Sequence, residues 1–457
     1  MPANDPSLRQ TEPFDRQPGQ TADAEPVTEH LPGPRLALLF VVSMVSATGN
    51  TAMQSVMPSI GTQLRVSDTA ISLAFTLSAL LWAVFAPYWA RRSDQRGRKA
   101  MMPLGLAAFS IHFLLGGFVL WLGLAGLIGG MIALVIFAVV RLLNGALGSA
   151  TSSAVQAYVA SRSAPADRTR VLALIASSMG LGTVIGPGLA PLLVLPVVGL
   201  AGPFIAFALF GFVTLAALRL YLPHDRPAFA GHGDIAPPPL MPRSAMPETG
   251  EPEDEPAPPP ESKPPRLRWA DPRVRGWTGA GACGGVAQVA LISITGFLVL
   301  DRLGLRGDPH AGAAPVGLVM MCGAFATLLA QWGLIPMLRP GPRTAVISGM
   351  ALAALGLTIW ALAQDLHTIA LGYSIASLGF GLHRPGFTSG ASLAVSRREQ
   401  GQVAGMVSSL FGAVYVAAPL TVWLYNTHPA TIYLALPVLC LAAALAPSFG
   451  TRLAPAA

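Results

Sequence analysis

Two arginines lie inside long apolar stretches of this sequence, where a charge is costly. Arg141 stands among leucines and valines, while Arg384 follows His383 and precedes Pro385. A guanidinium deep in an apolar helix is expensive unless it faces a cavity or a partner, and an imidazole can exchange a proton near neutral pH. A proline also frees a backbone carbonyl that can join a binding site. We therefore predict that Arg141, His383 and Arg384 line a substrate cavity.

Structural explanations compete with this prediction. Arg384 could extend its charged head toward the nearer end of its helix while His383 packs as an ordinary buried residue. Arg141 could instead bind backbone carbonyls between neighbouring helices.

A polar stripe occurs near the start of the chain. Ser46, Asn50 and Gln54 recur at steps of four, so they share one face of a helix. Such a face in an otherwise apolar helix can line a cavity or form hydrogen bonds between helices. We predict that Asn50 and Gln54 face the substrate cavity. Three polar residues of the second half are further candidates of the same kind, namely Gln288, Gln331 and Tyr415.

The acidic residues are placed differently from the two arginines. Each of the 22 can be assigned to a tail, a loop or the end of an apolar stretch, and Asp68, Asp301 and Asp365 stand at such ends. A cavity with two arginines and no acid favours neutral or anionic compounds over organic cations. Proton coupling would then use His383, a boundary acid such as Asp68 or Asp301, or the ionisation of the substrate itself.

The composition predicts the elements that carry these residues. Hydrophobic residues make up 53% of the 457 and charged residues 11%, whereas about a quarter of a soluble globular chain is charged. The apolar residues form runs of about 20, enough to cross the hydrocarbon core of a membrane as helices. We therefore expect an all-α membrane protein. Twelve spans are predicted, at residues 36–58, 70–90, 100–122, 131–158, 170–194, 200–222, 276–300, 314–337, 344–363, 368–392, 402–424 and 429–447.

The basic residues predict how these spans are oriented. Lys and Arg concentrate on cytoplasmic loops, and with both termini in the cytoplasm 24 of the 29 lie in cytoplasmic segments. Arg65, Arg302 and Arg306 lie on the outer side. We expect a multi-pass protein of a cell inner membrane with both termini cytoplasmic. The formal net charge of +7 then reflects orientation and contact with the anionic lipid bilayer, and it does not indicate nucleic-acid binding.

Changes of composition along the chain predict its domains. Residues 1–35 lack the basic segment and cleavage site of a secretory signal and are typical of a disordered cytoplasmic tail. Residues 223–273 are rich in Pro, Glu and Asp, so we expect a flexible cytoplasmic linker there. It would join a six-helix bundle at 36–222 to a second at 274–447, followed by a cytoplasmic tail at 448–457. Many secondary transporters repeat a helical bundle and bind their substrate between the copies.

The loop after the second span carries a distinctive pattern. Asp94 precedes Gly97, Arg98 and Lys99, and Ala90 stands four residues before the acid. This loop resembles the signature loop of the major facilitator superfamily, with Ala90 in place of the first glycine of that signature. The resemblance implies that Asp94, Gly97, Arg98 and Lys99 form a conformational-switch loop whose acid locks the two halves together in one state. An ordinary basic cytoplasmic loop would explain the basic residues but neither Asp94 nor Gly97.

A second pattern lies in the fourth and fifth spans. The fourth carries Arg141 followed by Gly145, and the fifth carries Gly182, Gly186 and Pro187. Both resemble the matching helices of drug:proton antiporters of that superfamily, especially tetracycline-efflux-like proteins. The resemblance assigns Gly182, Gly186 and Pro187 to a helix-kink motif linked to export, although a passive kink would need the same residue types. Two positions depart from the pattern, with Ala190-Pro191 in place of a glycine pair and Ser161 in place of an acid.

This resemblance implies both a fold and a function. We expect the major facilitator fold, with two six-helix bundles joined by a cytoplasmic linker, in a monomeric secondary active transporter. It would export a small amphipathic organic compound, such as a drug, a siderophore-like molecule or a metabolite, by alternating access with protons as the coupling ion. An uptake permease for an organic acid or another nutrient is the alternative, because one fold supports both directions.

Neither an enzyme nor a metal site is expected. The sequence shows no nucleophile–base pair and no phosphate-binding loop. Cys283, Cys322 and Cys440 each lie in an apolar span without metal-ligand spacing or an evident disulfide partner. We therefore expect a transporter that uses no cofactor.

The predicted orientation can be tested by cysteine labelling. A single cysteine placed within residues 223–271 should react only with reagents that reach the cytoplasm, and one placed between Arg302 and His310 only with impermeant reagents added outside. The reason is the 24-to-3 distribution of basic residues between the two sides. Labelling from the opposite sides would refute either the orientation or the number of spans.

Overall fold

A computed structural model describes most of the chain. The described residues are 32–96, 98–163, 168–222, 267–396 and 399–446. Most of the tail predicted at 1–35, most of the linker predicted at 223–273 and all of the tail predicted at 448–457 lie outside these ranges. Within them the chain forms helices and turns, with no β-sheet.

The α-helices follow one another closely along the described chain. They are α1 Gly33–Gln63, α2 Asp68–Arg96, α3 Arg98–Leu124, α4 Gly130–Leu147, α5 Ser149–Ser161, α6 Arg168–Leu189, α7 Gly202–Tyr221, α8 Arg275–Arg302, α9 Pro309–Leu328, α10 Ile335–Leu338, α11 Pro342–Leu362, α12 Leu366–Leu393, α13 Gln400–Ala413, α14 Ala417–Thr427 and α15 Pro429–Leu445.

Three pairs of these helices continue one another as single rods. α5 follows α4 after Gly148, a π-helical segment at Leu329–Leu334 joins α9 to α10, and a 3-10 turn at Val414–Val416 joins α13 to α14. Each predicted span then coincides with one rod. The fifth span, predicted at 170–194, ends earlier than predicted, because α6 ends at Leu189 and a 3-10 turn begins at Pro191. Proline lacks the N–H that would continue the helical ladder.

The rods have the length and composition of membrane-crossing helices. In the described part of the chain ten are long and apolar enough to cross a bilayer. Of the other two, α15 is apolar but 17 residues long, and α12 is 28 residues long and includes His383 and Arg384. Large apolar side chains such as Val84 and Leu220, 67% and 79% exposed, suit a hydrocarbon solvent. The chain is a multi-pass membrane protein.

Glycines set the distances between neighbouring helices, most clearly between α11 and α12. A Cβ on Gly356 would overlap the backbone nitrogen of Ala376, and one on Gly379 would overlap the carbonyl oxygen of Gly349. Lipid tails are as apolar as leucine, so helices in a membrane associate through close van der Waals packing, which small residues permit. These two helices therefore pack backbone against backbone.

The first half (α1–α7) and the second half (α8–α15) are in closer contact at one end of the bundle than at the other. Near the α1–α2 loop, a Cβ on Gly296 would overlap the ring of Pro58. Midway, a Cβ on Gly412 would overlap Ala83, whereas one on Gly405, about two turns nearer the α12–α13 loop on the same face, would meet nothing within 4 Å. The halves are therefore in contact at the closed end, which holds the α1–α2 loop, and diverge toward the open end, which holds the α12–α13 loop.

An ion pair anchors the start of α8 to the start of α13. Arg273 donates hydrogen bonds to both carboxylate oxygens of Glu399, at 2.9 and 3.1 Å, and also binds Asp271. Hydrogen bonds from Arg273 and then from Ser396 lower the pKa of Glu399 to about 2. The residues that precede α8 are thereby tied to the second half.

Candidate functional site

Arg141 is buried among helices of the first half. Its Cζ lies 4.2 Å from the centroid of the Phe75 ring on α2, and its Nη1 lies 3.1 Å from the sulfur of Met53 on α1. The residue is 6% exposed, and its Nε–H has no acceptor among the described residues. An aromatic face and a thioether thus hold the guanidinium, and no carboxylate in the described part of the chain pairs with it.

Arg384 is held in a similar way in the second half. Its Cζ lies 4.1 Å from the centroid of the Phe411 ring on α13, and its side chain remains accessible. Arg384 is nine residues before the end of α12, which corresponds to about 13 Å along the helix axis. Phe411 is a similar distance from the start of α13. The stacking therefore holds the guanidinium well inside the span, whereas an extended side chain would direct it toward the open end.

Tyr415 lies near both arginines. It stands in the turn between α13 and α14, where its carbonyl oxygen accepts a hydrogen bond from Thr76 of α2 at 3.1 Å. Its phenol is within electrostatic range of Arg384 and of Arg141. One residue of the second half thus brings the arginines of both halves into a common region.

A cavity lies between the halves beside Tyr415. Its empty space, counted together with the solvent at its mouth, is about 540 Å³. Both halves contribute to its lining, which combines aromatic rings, thioethers, hydroxyls and an amide but no charged side chain. Phe75 lines this cavity and also stacks on Arg141, so the arginine stands next to the cavity wall. Six of the lining residues are Gln54, Met57, Phe75, Phe297, Met320 and Tyr415.

The polar stripe of α1 reaches this cavity at one position. Gln54 lines it, and Ser46, Asn50 and Gln54 are all half-buried. The Nδ2 group of Asn50 donates a hydrogen bond to the carbonyl oxygen of Ser46 at 2.9 Å. Asn50 therefore lies one turn from the cavity lining, with its amide bonded to its own helix.

His383 occupies a different place from the one predicted. The residue is 2% exposed, and its Nε2 lies 3.1 Å from the carbonyl oxygen of Ala280 on α8. A Cβ on Gly284 would overlap its ring, so α8 packs directly on the imidazole. Consecutive side chains on a helix point about 100° apart, so Arg384 faces α13 while His383 faces α8. The structure therefore corrects the prediction that His383 lines the cavity, because this imidazole is a hydrogen-bonded packing residue.

The loop between α2 and α3 is described in part. The Nη1 group of Arg98 donates a hydrogen bond to the carbonyl oxygen of Ala157 at 2.7 Å, which joins the start of α3 to α5. Lys99 follows in the first turn of α3 and is half-buried. The side chain of Asp94 and the whole of Gly97 lie outside the described residues. The conformational-switch role of these four residues stays a prediction.

The Gly-Pro motif lies where α6 packs between the two halves. A Cβ on Gly186 would overlap the hydroxyl of Thr51 and the carbonyl oxygen of Thr48, both on α1. A Cβ on Gly182 would lie 2.7 Å from the carbonyl oxygen of Met44 on the same helix. On another face, the carbonyl oxygen of Pro187 would lie 2.5 Å from a Cβ on Gly317 of α9. Gly182 and Gly186 therefore permit close packing of α6 on α1, and Gly317 permits the packing of α9 on α6.

An ion pair joins the two halves at the closed end. Arg306 follows α8 and donates hydrogen bonds to both carboxylate oxygens of Asp68 at the start of α2, at 2.8 and 3.1 Å, and it also binds Asp301. Tyr425 of α14 donates a hydrogen bond to Asp301 at 2.6 Å. Hydrogen bonds to Asp301 and then to Asp68 raise the pKa of Arg306. Asp68 is 5% exposed and the side chain of Arg306 is 36% exposed, so a buried carboxylate and a half-buried arginine link the halves.

A family model decides to which group of proteins this bundle belongs. The model of the Major Facilitator Superfamily matches residues 39–419. The chain belongs to this superfamily. Tetracycline resistance protein, class C, of Escherichia coli is 25% identical over 398 residues, which cover 84% of this chain and 88% of that protein. The class B protein of the same species is 25% identical over 195 residues, or 40% of this chain, and the match spans only 43% of its length.

Solved structures agree with the superfamily fold. The nucleoside transporter NupG has a TM-score of 0.67 to this chain at 12% identity, over 91% of this chain and 100% of that one. An all-α membrane protein with the major facilitator fold, as predicted from the sequence, is confirmed.

Several site residues of this superfamily member were not predicted. Phe75 and Phe411 stack on Arg141 and Arg384. A single sequence does not indicate which aromatic residue in an apolar run makes such a contact. The Asp68–Arg306 pair left a weak signal, namely opposite charges at span ends that the predicted topology puts on the same side. Their separation by 238 positions in the sequence kept the pair from being predicted.

The packing of α6 on α1 can be tested with two glycine substitutions. Gly186→Ala should lower thermal stability, with a cost of about 1–3 kcal/mol, because the methyl group would meet the α1 backbone. Gly279→Ala is the matched control, since its Cβ would meet nothing within 4 Å in α8. It should leave the melting temperature unchanged or raise it slightly. Equal melting temperatures for the two variants would contradict the close approach.

The Asp68–Arg306 pair can be tested by the access that it controls. Asp68→Asn keeps the shape but removes the charge, so the closed end should open more often. The measurement is the rate at which an impermeant thiol reagent, added on the side of the α1–α2 loop, labels Ser293→Cys in the cavity. We expect the rate to rise about tenfold in a background without native cysteines.

Two further variants serve as controls for that labelling rate. Asp365→Asn is the matched control, because this carboxylate caps its own helix through His367 and Thr368. It should leave labelling unchanged. Exchange of the charges in Asp68→Arg with Arg306→Asp should restore part of the protection. A rate that none of these variants changes would rule out the pair as a link that holds this end shut.

Proposed function

We propose that this chain is a secondary active transporter that exports a small amphipathic organic compound by alternating access. The observation that carries the proposal is a cavity between two halves that are joined at one end and diverge at the other. Membership of the superfamily makes the chain a transporter. The likeness to tetracycline resistance proteins supports export as the direction.

The lining of the cavity supports an amphipathic substrate. Phe75, Phe297 and Met320 offer aromatic and thioether surface that suits an apolar body. Gln54 and Tyr415 offer an amide and a phenol that can fix its orientation by hydrogen bonds. Such a site would bind drugs, siderophore-like molecules or metabolites of moderate size.

The charges around the cavity support a neutral or anionic substrate. Arg141 and Arg384 place two positive charges near Tyr415, and an organic cation would be repelled there. Protons are the proposed coupling ion. Asp68 and Asp301 stand at the closed end and bind Arg306, so neither faces the central arginines. The substrate's own ionisation is the proposed link between proton and cargo.

The same charges suggest how the protein sits in the cell. The predicted excess of Lys and Arg on the side of the termini supports an inner-membrane protein with both termini cytoplasmic. The open end then faces the cytoplasm, and the cavity is ready to receive a compound from inside. We propose that the monomer is the working unit, because one chain supplies both halves of the cavity.

Uptake of an organic acid or another nutrient is the second candidate. The observation that keeps it open is the pair of arginines near Tyr415, which would serve an imported acid as well as an exported one. The fold itself does not fix the direction.

Direction can be measured by comparing accumulation in a deletion strain and an overexpression strain. Cells that overexpress the protein should retain several-fold less of an exported amphipathic acid or neutral compound, and a size-matched quaternary ammonium compound should show no difference. Higher retention of the same compounds in the overexpression strain would establish uptake instead.

A further inference from the structure

Arg141 and Arg384 share an unusual feature, which is that each lacks an anionic partner among the described residues. Arg141 is 6% exposed, touches the Met53 sulfur and leaves its Nε–H without an acceptor. A buried guanidinium without a countercharge is strongly unfavourable in a low-dielectric interior. Each arginine would therefore be stabilised by an anion that none of the described residues supplies.

The stacking of each guanidinium leaves its hydrogen-bond donors clear of the aromatic ring. Phe75 covers one face of Arg141 and Phe411 covers one face of Arg384, at 4.2 and 4.1 Å. The N–H bonds of a guanidinium lie in its plane, and they match the two oxygens of a carboxylate. A ring on the face orients the group without competing for those bonds.

The two arginines stand at different depths in the bundle. Arg141 is 11 residues from the start of α4 at Gly130, or about 16 Å from the closed end. Arg384 is 18 residues from the start of α12 at Leu366, or about 27 Å from that end. Arg384 is thus nearer to the open end, Arg141 is nearer to the closed end, and Tyr415 is within electrostatic range of both.

We propose that the substrate is an amphipathic monocarboxylate whose acid group binds Arg384 first and Arg141 second. At Arg141 the acid lies beside Phe75, so its apolar body enters the cavity lined by Phe75, Met57 and Phe297. The phenol of Tyr415 donates to the carboxylate between the two positions. This inference rests on the proposed transport function and adds the chemical class of the substrate and the residues that select it.

The binding of three small probes to the purified full-length protein tests the proposal independently of the direction of transport. The probes are 2-naphthoate, its neutral isostere 2-naphthamide and trimethyl(2-naphthyl)ammonium, all of which have the same ring. The wild-type protein should bind naphthoate about tenfold more tightly than naphthamide, and the ammonium compound most weakly. Equal affinity for the three probes, or no binding of naphthoate by the folded protein, would overturn the proposal.

Substitutions then assign the preference to the two arginines. Arg384→Ala and Arg141→Gln should each weaken naphthoate binding about tenfold and leave naphthamide binding unchanged. Arg384→Lys should recover part of the affinity, because lysine keeps the charge but lacks the planar fork. Arg302→Ala is the matched control, since Arg302 also stacks on an aromatic ring, Tyr433, but bonds the carbonyl oxygen of Ala361 away from the cavity. It should change neither affinity.

The outcomes separate this inference from the proposed function. Selective naphthoate binding that depends on both arginines, together with uptake in cells, would support the carboxylate site and refute export. Export in cells by a protein that binds naphthamide as tightly as naphthoate would support export and refute the carboxylate site. A loss of both naphthoate and naphthamide binding in Arg384→Lys, with an unchanged melting temperature, would also count against the site.

Discussion

The cost of an unpaired charge in hydrocarbon is the constraint on which the rest of this structure depends. It explains why all but two of the 29 basic residues, Arg141 and Arg384, fall in tails, loops or at span ends. It explains why Asp68, mostly buried at the closed end, is paired with Arg306 from the other half. It also makes Arg141 and Arg384 informative, because stacking on Phe75 and Phe411 reduces but does not remove the cost of their charges. A ligand of opposite charge would complete both sites.

A second constraint is the absence of a hydrophobic driving force between helices in lipid, which leaves close packing to hold the bundle together. Within the first half, Gly186 brings the α6 backbone against α1. Between the halves, Gly180 and Gly188 of the same helix meet the flexible side chains of Leu328 and Met321. Packing inside a half is thus mostly rigid, whereas part of the contact between halves can re-form in another arrangement. Alternating access requires this difference.

The cavity follows from both constraints. The halves meet at the closed end through packing and the Asp68–Arg306 pair. They diverge from Gly412 toward the open end. The cavity between them is lined by uncharged side chains near the closed end, and the exposed Arg384 stands nearer the open end. A compound entering from the open end would therefore meet a positive charge before it meets the apolar lining. An amphipathic acid would be attracted first and desolvated second.

The sequence by itself determined the helices, because runs of about 20 apolar residues and the sidedness of basic residues are local properties of a chain in a bilayer. It also marked Arg141, Arg384 and Gln54 as unusual, since a polar residue in an apolar span stands out without a structure. Only the tertiary structure decided what they face. It turned His383 onto α8 although Arg384, its neighbour in sequence, stacks on α13. It also paired Asp68 with Arg306 across 238 residues. Such outcomes depend on helix rotation and on contacts between distant segments, and neither is encoded in the local pattern of one span.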